Sequence, residues 1–183
     1  MSITRKVTVR GLRPIMFDRY AGSNNEQLAP MSKVYLDSQD KKTLVFPSVN
    51  ILSFLSSQNS ESAPQRLLGK KWKSVAKAAL SFVDIDPIEI PFLRAGRRIV
   101  LDGSDVYIAF HVARIKKGQL TIPNPKERPV LPLPWELSFS ITLMDNPDLT
   151  ESILKKLFYE GGIAIGWGTF RGVYGKFEVT QWE

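Results

Sequence analysis

From Trp135 to Leu143 apolar side chains fall on odd positions and polar ones on even positions, the period-two pattern of a strand with one buried face. Residues 3–17 alternate in the same way. Ile3, Val7, Val9 and Leu12 stand against Arg5, Lys6, Arg10 and Arg13 until Pro14 interrupts the ladder, which predicts a first strand with one apolar and one basic face. Helical spacing replaces alternation at Leu149, Ile153, Leu154, Leu157 and Phe158, with Asn146 as the expected N-cap, Pro147 in the first turn and Gly161 at the end. A second helix, opened by Pro64, carries Leu68, Trp72, Val75, Ala76 and Ala79. A shorter one carries Ile51, Leu52 and Leu55 behind a Leu44-Val45-Phe46 strand, with Ser48 as its N-cap.

Between residues 82 and 122 the β-branched and aromatic runs Ile88–Ile90, Arg97–Leu101 and Val106–Ile115 predict strands. Asp102-Gly103-Ser104-Asp105 is read as the turn of a hairpin between the last two, and Lys116-Lys117-Gly118 as the end of the longer strand. Prolines 123, 125, 129, 132 and 134 predict an extended connector over 123–135, because proline cannot donate to a ladder. From Asp18 to Lys42 the chain turns polar, which predicts a long loop protruding over about 18–43, with Val34-Tyr35-Leu36 its ordered piece. The polar run Ser56 to Ala63 separates the two middle helices. The order of elements is strand, helix, strands, then strand, helix, glycine-rich loop, strand. It predicts a single α+β domain over 1–183, of the ferredoxin-like (RRM-like) split β-α-β class, with an antiparallel sheet and a long insertion after strand one.

Composition narrows the chemistry. The chain has 183 residues, no cysteine and one histidine, which removes disulfides, thiolate catalysis and the usual zinc ligands, and no cofactor is expected. His111 sits mid-strand without a sequence-local carboxylate, so it reads as a sheet histidine rather than a base. The start of the chain lacks an apolar signal core, and no apolar run approaches the ~20 residues that cross a bilayer, so a cytoplasmic protein without a membrane partner is expected. A net charge of +7 favours a polyanion as partner. The charge is distributed over Arg10 and Arg13 of the first strand, a helical face with Lys70, Lys73 and Lys77, and the ends of the expected hairpin, Arg97, Arg98, Arg114, Lys116 and Lys117.

The stretch Gly161 to Phe177 holds six of the twelve glycines. It lies after a helix and before a strand, the reverse of a dinucleotide fingerprint, and Gly175-Lys176 is followed by Phe177 where a P-loop needs Ser or Thr. A dense glycine set implies a tight, shaped loop. Gly168 and Gly172 would let it cradle a phosphate backbone, Arg171 and Lys176 add charge, and Phe170 and Tyr174 add rings that could stack a base, while Trp167 and Phe177 are expected in the core.

The run Gly166-Trp167-Gly168-x-x-Arg171-x-x-Tyr174-Gly175-x-Phe177 resembles the C-terminal glycine loop of the repeat-associated mysterious protein (RAMP) superfamily, the backbone and guide-processing subunits of CRISPR effector complexes. Phe46-Pro47-Ser48-Val49-Asn50-Ile51 is similar to the segment that enters that family's first helix beside the RNA. The resemblance implies contacts from Ser48 and Asn50, and effector subunits or further copies of the chain as partners. Two positions depart from the pattern: Ser48 stands where glycine is usual and Leu52 where lysine would be. The family's cleaving aspartate falls near Ser32 or Lys33, with Asp37 and Asp40 off register, and His111 does not match the guide-processing histidine. The expectation is therefore non-catalytic binding of single-stranded RNA or DNA, by a subunit that repeats along a guide or forms a filament. Two alternatives stand beside it: a metal-dependent nuclease using Asp18, Glu26, Asp37 or Asp40, and an interaction or inhibitor subunit whose charge is incidental.

Overall fold

The computed structural model describes residues 1–23, 26–57 and 62–183; positions 24–25 of the polar loop, 58–61 of the Ser56–Ala63 run, and the side chains of Ile115 and Lys117 lie outside the described residues. In chain order the elements are β1 (Ser2–Gly11), β2 (Ile15–Met16), β3 (Val45–Pro47), α1 (Ser48–Ser56), α2 (Ala63–Leu67), α3 (Trp72–Phe82), β4 (Val83–Asp86), β5 (Glu89–Pro91), β6 (Leu93–Arg94) and β7 (Arg97–Arg98), followed by β8 (Tyr107–Lys117), β9 (Leu120–Leu131), β10 (Glu136–Met144), α4 (Glu151–Ala164) and β11 (Phe177–Trp182). All the strand pairs are antiparallel. The protein is thus an α+β fold with antiparallel sheets.

The main sheet runs β11-β1-β10, and the far edge of β10 is shared by β4 along Ser140–Leu143 and by β6 at Glu136. Leu137, Phe139, Ile141 and Leu143 of β10 and Val7 and Val9 of β1 are buried, as their alternation requires, and pack with Leu154, Leu157 and Phe158 of α4. Arg5 belongs to this same face, where its guanidinium holds Glu151 of α4 at 2.7 Å; it is not part of the basic face. The opposite face carries Thr8 bound to Ser138 and Gln181, and Arg10 bound to Glu178 at 2.9 Å. No aromatic ring lines these outward positions of β1 and β10 among the described residues. Stacking of bases on the open sheet, as an RRM does it, is therefore ruled out at these strands.

Several local expectations are corrected. Helix α1 begins at Ser48 itself with Pro47 at the N-cap, and the Ser48 N–H is taken by the Ile88 carbonyl at 2.8 Å. The helix expected from Pro64 is broken into α2 and α3 around Gly69, whose φ is +55. Asn146 does not cap α4; its Oδ1 accepts from the Asp148 and Leu149 N–H groups in a separate turn, and Thr150 is the cap. Gly161 does not end α4, which runs to Ala164. A Cβ on Gly161 would meet the Phe54 ring at 2.6 Å, so glycine is there for close helix packing.

The hairpin is also elsewhere. Arg97–Arg98 pair with Leu93–Arg94, Leu101–Gly103 form a 3-10 turn, and β8 pairs instead with β9, so Lys117-Gly118 lies at the hairpin end. Prolines 123, 125 and 129 thus lie inside a strand. Their even spacing turns every missing N–H to the same side, away from β8, and the Pro129 carbonyl on that side accepts from the Phe17 N–H at 3.0 Å. The 18–43 segment is more ordered than its composition suggests. Pro30–Lys33 form a 3-10 turn, Val34 is buried, and Leu36 bridges to Leu44. Asp37 and Asp40 close the turn between them, accepting from the N–H groups of residues 39, 40, 42 and 43.

Candidate nucleic-acid interface

The glycine loop is laced to the segment joining β1 to β2. The Thr169 N–H donates to the Met16 carbonyl at 2.9 Å and the Gly175 N–H to the Pro14 carbonyl at 2.7 Å, while Trp167 donates to the Gly175 carbonyl at 2.9 Å. These close approaches need glycine. At Gly175, φ is +74 and a Cβ would overlap the Trp167 carbonyl; at Gly168, φ is +79 and a Cβ would sit 2.5 Å from the Met16 oxygen. Beneath the loop Trp167 is 1% exposed, stacked on Phe46 at 5.3 Å and packed on Phe177 at 4.1 Å. Its indole N–H is buried and meets no acceptor among the described residues, so the ring is held there by packing.

Above this floor lies a cleft of about 310 Å³ between the loop and α1. Asn50 and Ser53 of α1, Thr169 and Arg171 of the loop, and Asp18 beyond β2 line it. The carboxylate of Asp18 receives the Arg128 Nε at 2.8 Å and lies 3.9 Å from the Lys33 Nζ, which offsets its charge at the cleft wall. The cleft thus offers one guanidinium, a carboxamide and the hydroxyls of Ser53, Ser57, Thr169 and Tyr35 over aromatic rings. That set can bind a phosphate and neighbouring polar edges.

Of the residues singled out in the sequence, Asn50, Gly168 and Arg171 meet in the cleft; Ser48, two residues before Asn50 at the start of α1, does not line it. Gly172 is on the exposed side of the loop, has no positive φ and has open space at its Cα, so it is not one of the constrained glycines. Tyr174 donates to or accepts from the His111 Nε2 at 3.0 Å, and burial, then the nearby Tyr107, raises its phenol pKa. Lys176 reaches back to the Ala164 carbonyl at 2.8 Å, capping α4, and desolvation lowers its pKa, with Arg66 adding to the effect. Arg13, Lys70, Lys73, Arg97 and Arg98 are exposed, Lys73 lying over the Trp72 ring at 5.7 Å, and none of them lines the cleft; Arg10 is held by Glu178 on the outer sheet face. Sequence reasoning missed Ser53 and Thr169 as lining groups, since an isolated hydroxyl carries no pattern. Phe170, one of the rings expected of the loop, stacks on His111 at 4.9 Å.

The carboxylates weighed for metal chemistry are dispersed. The Thr43 hydroxyl above all, with the backbone N–H groups of Thr43 and Lys42, lowers Asp40 to a pKa of about 2. No group of three or more His, Cys, Asp or Glu that could hold a metal occurs among the described residues. No helix among them is long and apolar enough to cross a membrane.

No family model and no curated protein matches the sequence. Among solved structures, a chain in the cryo-EM structure of the Type III-B Cmr-beta bound to cognate target RNA aligns with the whole of this chain at a TM-score of 0.61 and 12% identity. This chain spans 60% of the length of that one. At this identity the likeness is one of fold.

Proposed function

We propose that the chain is a RAMP-like, non-catalytic subunit of a CRISPR-type ribonucleoprotein, and that it holds single-stranded RNA in the cleft between α1 and the glycine loop. The observation that carries this reading is the convergence in one cleft of Asn50, Gly168 and Arg171, drawn from the two stretches that resemble the superfamily. The whole-chain likeness to a chain of an RNA-bound Cmr-beta structure supports it and favours RNA over DNA. The strand order β11-β1-β10-β4 supports reading the main sheet as a split β-α-β unit, with β6 and β7 as additions at the β10 edge. Effector subunits or further copies of this chain are the proposed protein partners.

Binding in this reading is electrostatic and insensitive to sequence, because the cleft presents a forked cation and ring faces rather than a base-reading pair. The Asp37 and Asp40 carboxylates are occupied by their own turn, and Asp18 by Arg128, which favours binding without cleavage over a nuclease. Fluorescence anisotropy with a labelled 20-nucleotide RNA tests the reading. With two or three phosphates engaged, affinity should fall on the order of tenfold between 50 and 200 mM salt. Absence of binding at low salt, or affinity indifferent to salt, would contradict it.

A further inference from the structure

Phe170 is the one non-glycine residue of the loop with a left-handed backbone, at φ +53. A bulky side chain there crowds its own carbonyl, so the conformation costs free energy that glycine would avoid. Burial does not offset that cost, because Phe170 remains 41% exposed while Trp167, three residues earlier, is enclosed. Its ring is nonetheless held in a defined plane. It stacks on His111 with 11° between the ring planes, and His111 is in turn fixed by the Tyr174 hydroxyl. Arg171, the next residue, lines the cleft.

We propose that Phe170 is a base-stacking platform: one unstacked nucleobase lies on the ring face turned away from His111 while Arg171 engages a neighbouring phosphate. The proposal rests on the RNA-binding reading and deepens it, since it assigns the base contact to Phe170 rather than to Tyr174. A ring backed by a second ring in a rigid loop loses little freedom when a base arrives, and stacking accepts any base. A structural role would look different. If Phe170 only pinned the β8–β9 hairpin through His111, its removal would loosen the fold and leave base recognition untouched.

The test compares wild type, Phe170→Gly, Phe170→Leu and Phe170→Trp on two labelled strands of equal phosphate count, a 12-nucleotide oligouridine and an abasic ribose-phosphate strand. Wild type should prefer the base-bearing strand about tenfold, a typical value for one stacked base. Phe170→Gly and Phe170→Leu should lose that preference, Phe170→Trp should keep it, and the melting temperature of Phe170→Gly should hold or rise as the backbone relaxes. Equal preference across all four proteins, or a lower melting temperature for Phe170→Gly with preference unchanged, overturns the platform. Wild type binding both strands equally overturns it while leaving RNA binding in place; wild type binding neither overturns both.

Discussion

The glycine loop and the β8–β9 hairpin are each built from a residue type that disrupts regular structure, glycine in one and proline in the other, and they are held in opposite ways. The loop is tied to other parts of the chain. Its N–H groups go to Pro14 and Met16, and Trp167 anchors it in the core. The hairpin is held chiefly by its own ladder, and Phe110, Val112 and Leu120 remain exposed along it. The outer edge of β9 is protected by Pro123, Pro125 and Pro129, whereas β8 has no proline and ends its sheet. A segment clamped from several sides can hold chemical groups at fixed spacing, and one held mainly by its own ladder can change its exposed residues cheaply. The candidate site therefore belongs to the loop.

This contrast is most sharply broken at Trp167. Trp167→Ala should destabilise the fold by about 3 to 5 kcal/mol in denaturant unfolding and remove the cleft floor. A loss under 1 kcal/mol would mean that the loop is not anchored through the core. An intermediate effect is expected at Glu151, which joins Arg5 of β1 and Trp182 of β11 to α4. Hydrogen bonds from Arg5, then from Trp182, lower its pKa from 4.5 to about 2. A depressed carboxylate stabilises the fold above its ordinary pKa, and that contribution fades as pH falls from 4.5 towards 2. Since both partners are partly exposed, it should amount to no more than about 1 kcal/mol. Thermal melts of wild type and Glu151→Gln should differ at pH 7 and converge near pH 2; a constant offset would show that the ion pair carries no linkage. The smallest effect belongs to the hairpin. Phe110→Ser, at a ring 62% exposed, should shift stability by no more than about 0.5 kcal/mol. A larger loss would show that the hairpin face is packed.

Legibility in the sequence follows how local each determinant is. The buried odd positions of β10 and the Leu154–Phe158 stripe of α4 were readable because period and burial are set within a few residues. The pairing of β8 with β9 was not, since an acceptable turn at Asp102–Asp105 competed with the real one and even-spaced prolines imitate a connector. Trp167 and Phe177 were placed in the core by their apolar bulk beside the glycines. The fate of Tyr174 was hidden, because its partner His111 lies 63 residues away in sequence. Asn146 and Gly161 each carry a helix-boundary signal that is used for something else, a local turn before α4 in one case and close packing against Phe54 in the other.

The central claim is that nucleic acid binds where Arg171 and Asn50 converge, and not wherever the chain is basic. Its most direct measurement is the affinity of Arg171→Ala and Lys73→Ala for the same single-stranded RNA, with melting temperatures taken alongside. Loss of a charge-assisted contact from Arg171 should weaken binding about tenfold or more with the melting temperature nearly unchanged, and Lys73→Ala, outside the cleft, should change affinity by less than about twofold. Equal losses from the two variants, or wild-type affinity in Arg171→Ala, would contradict the account.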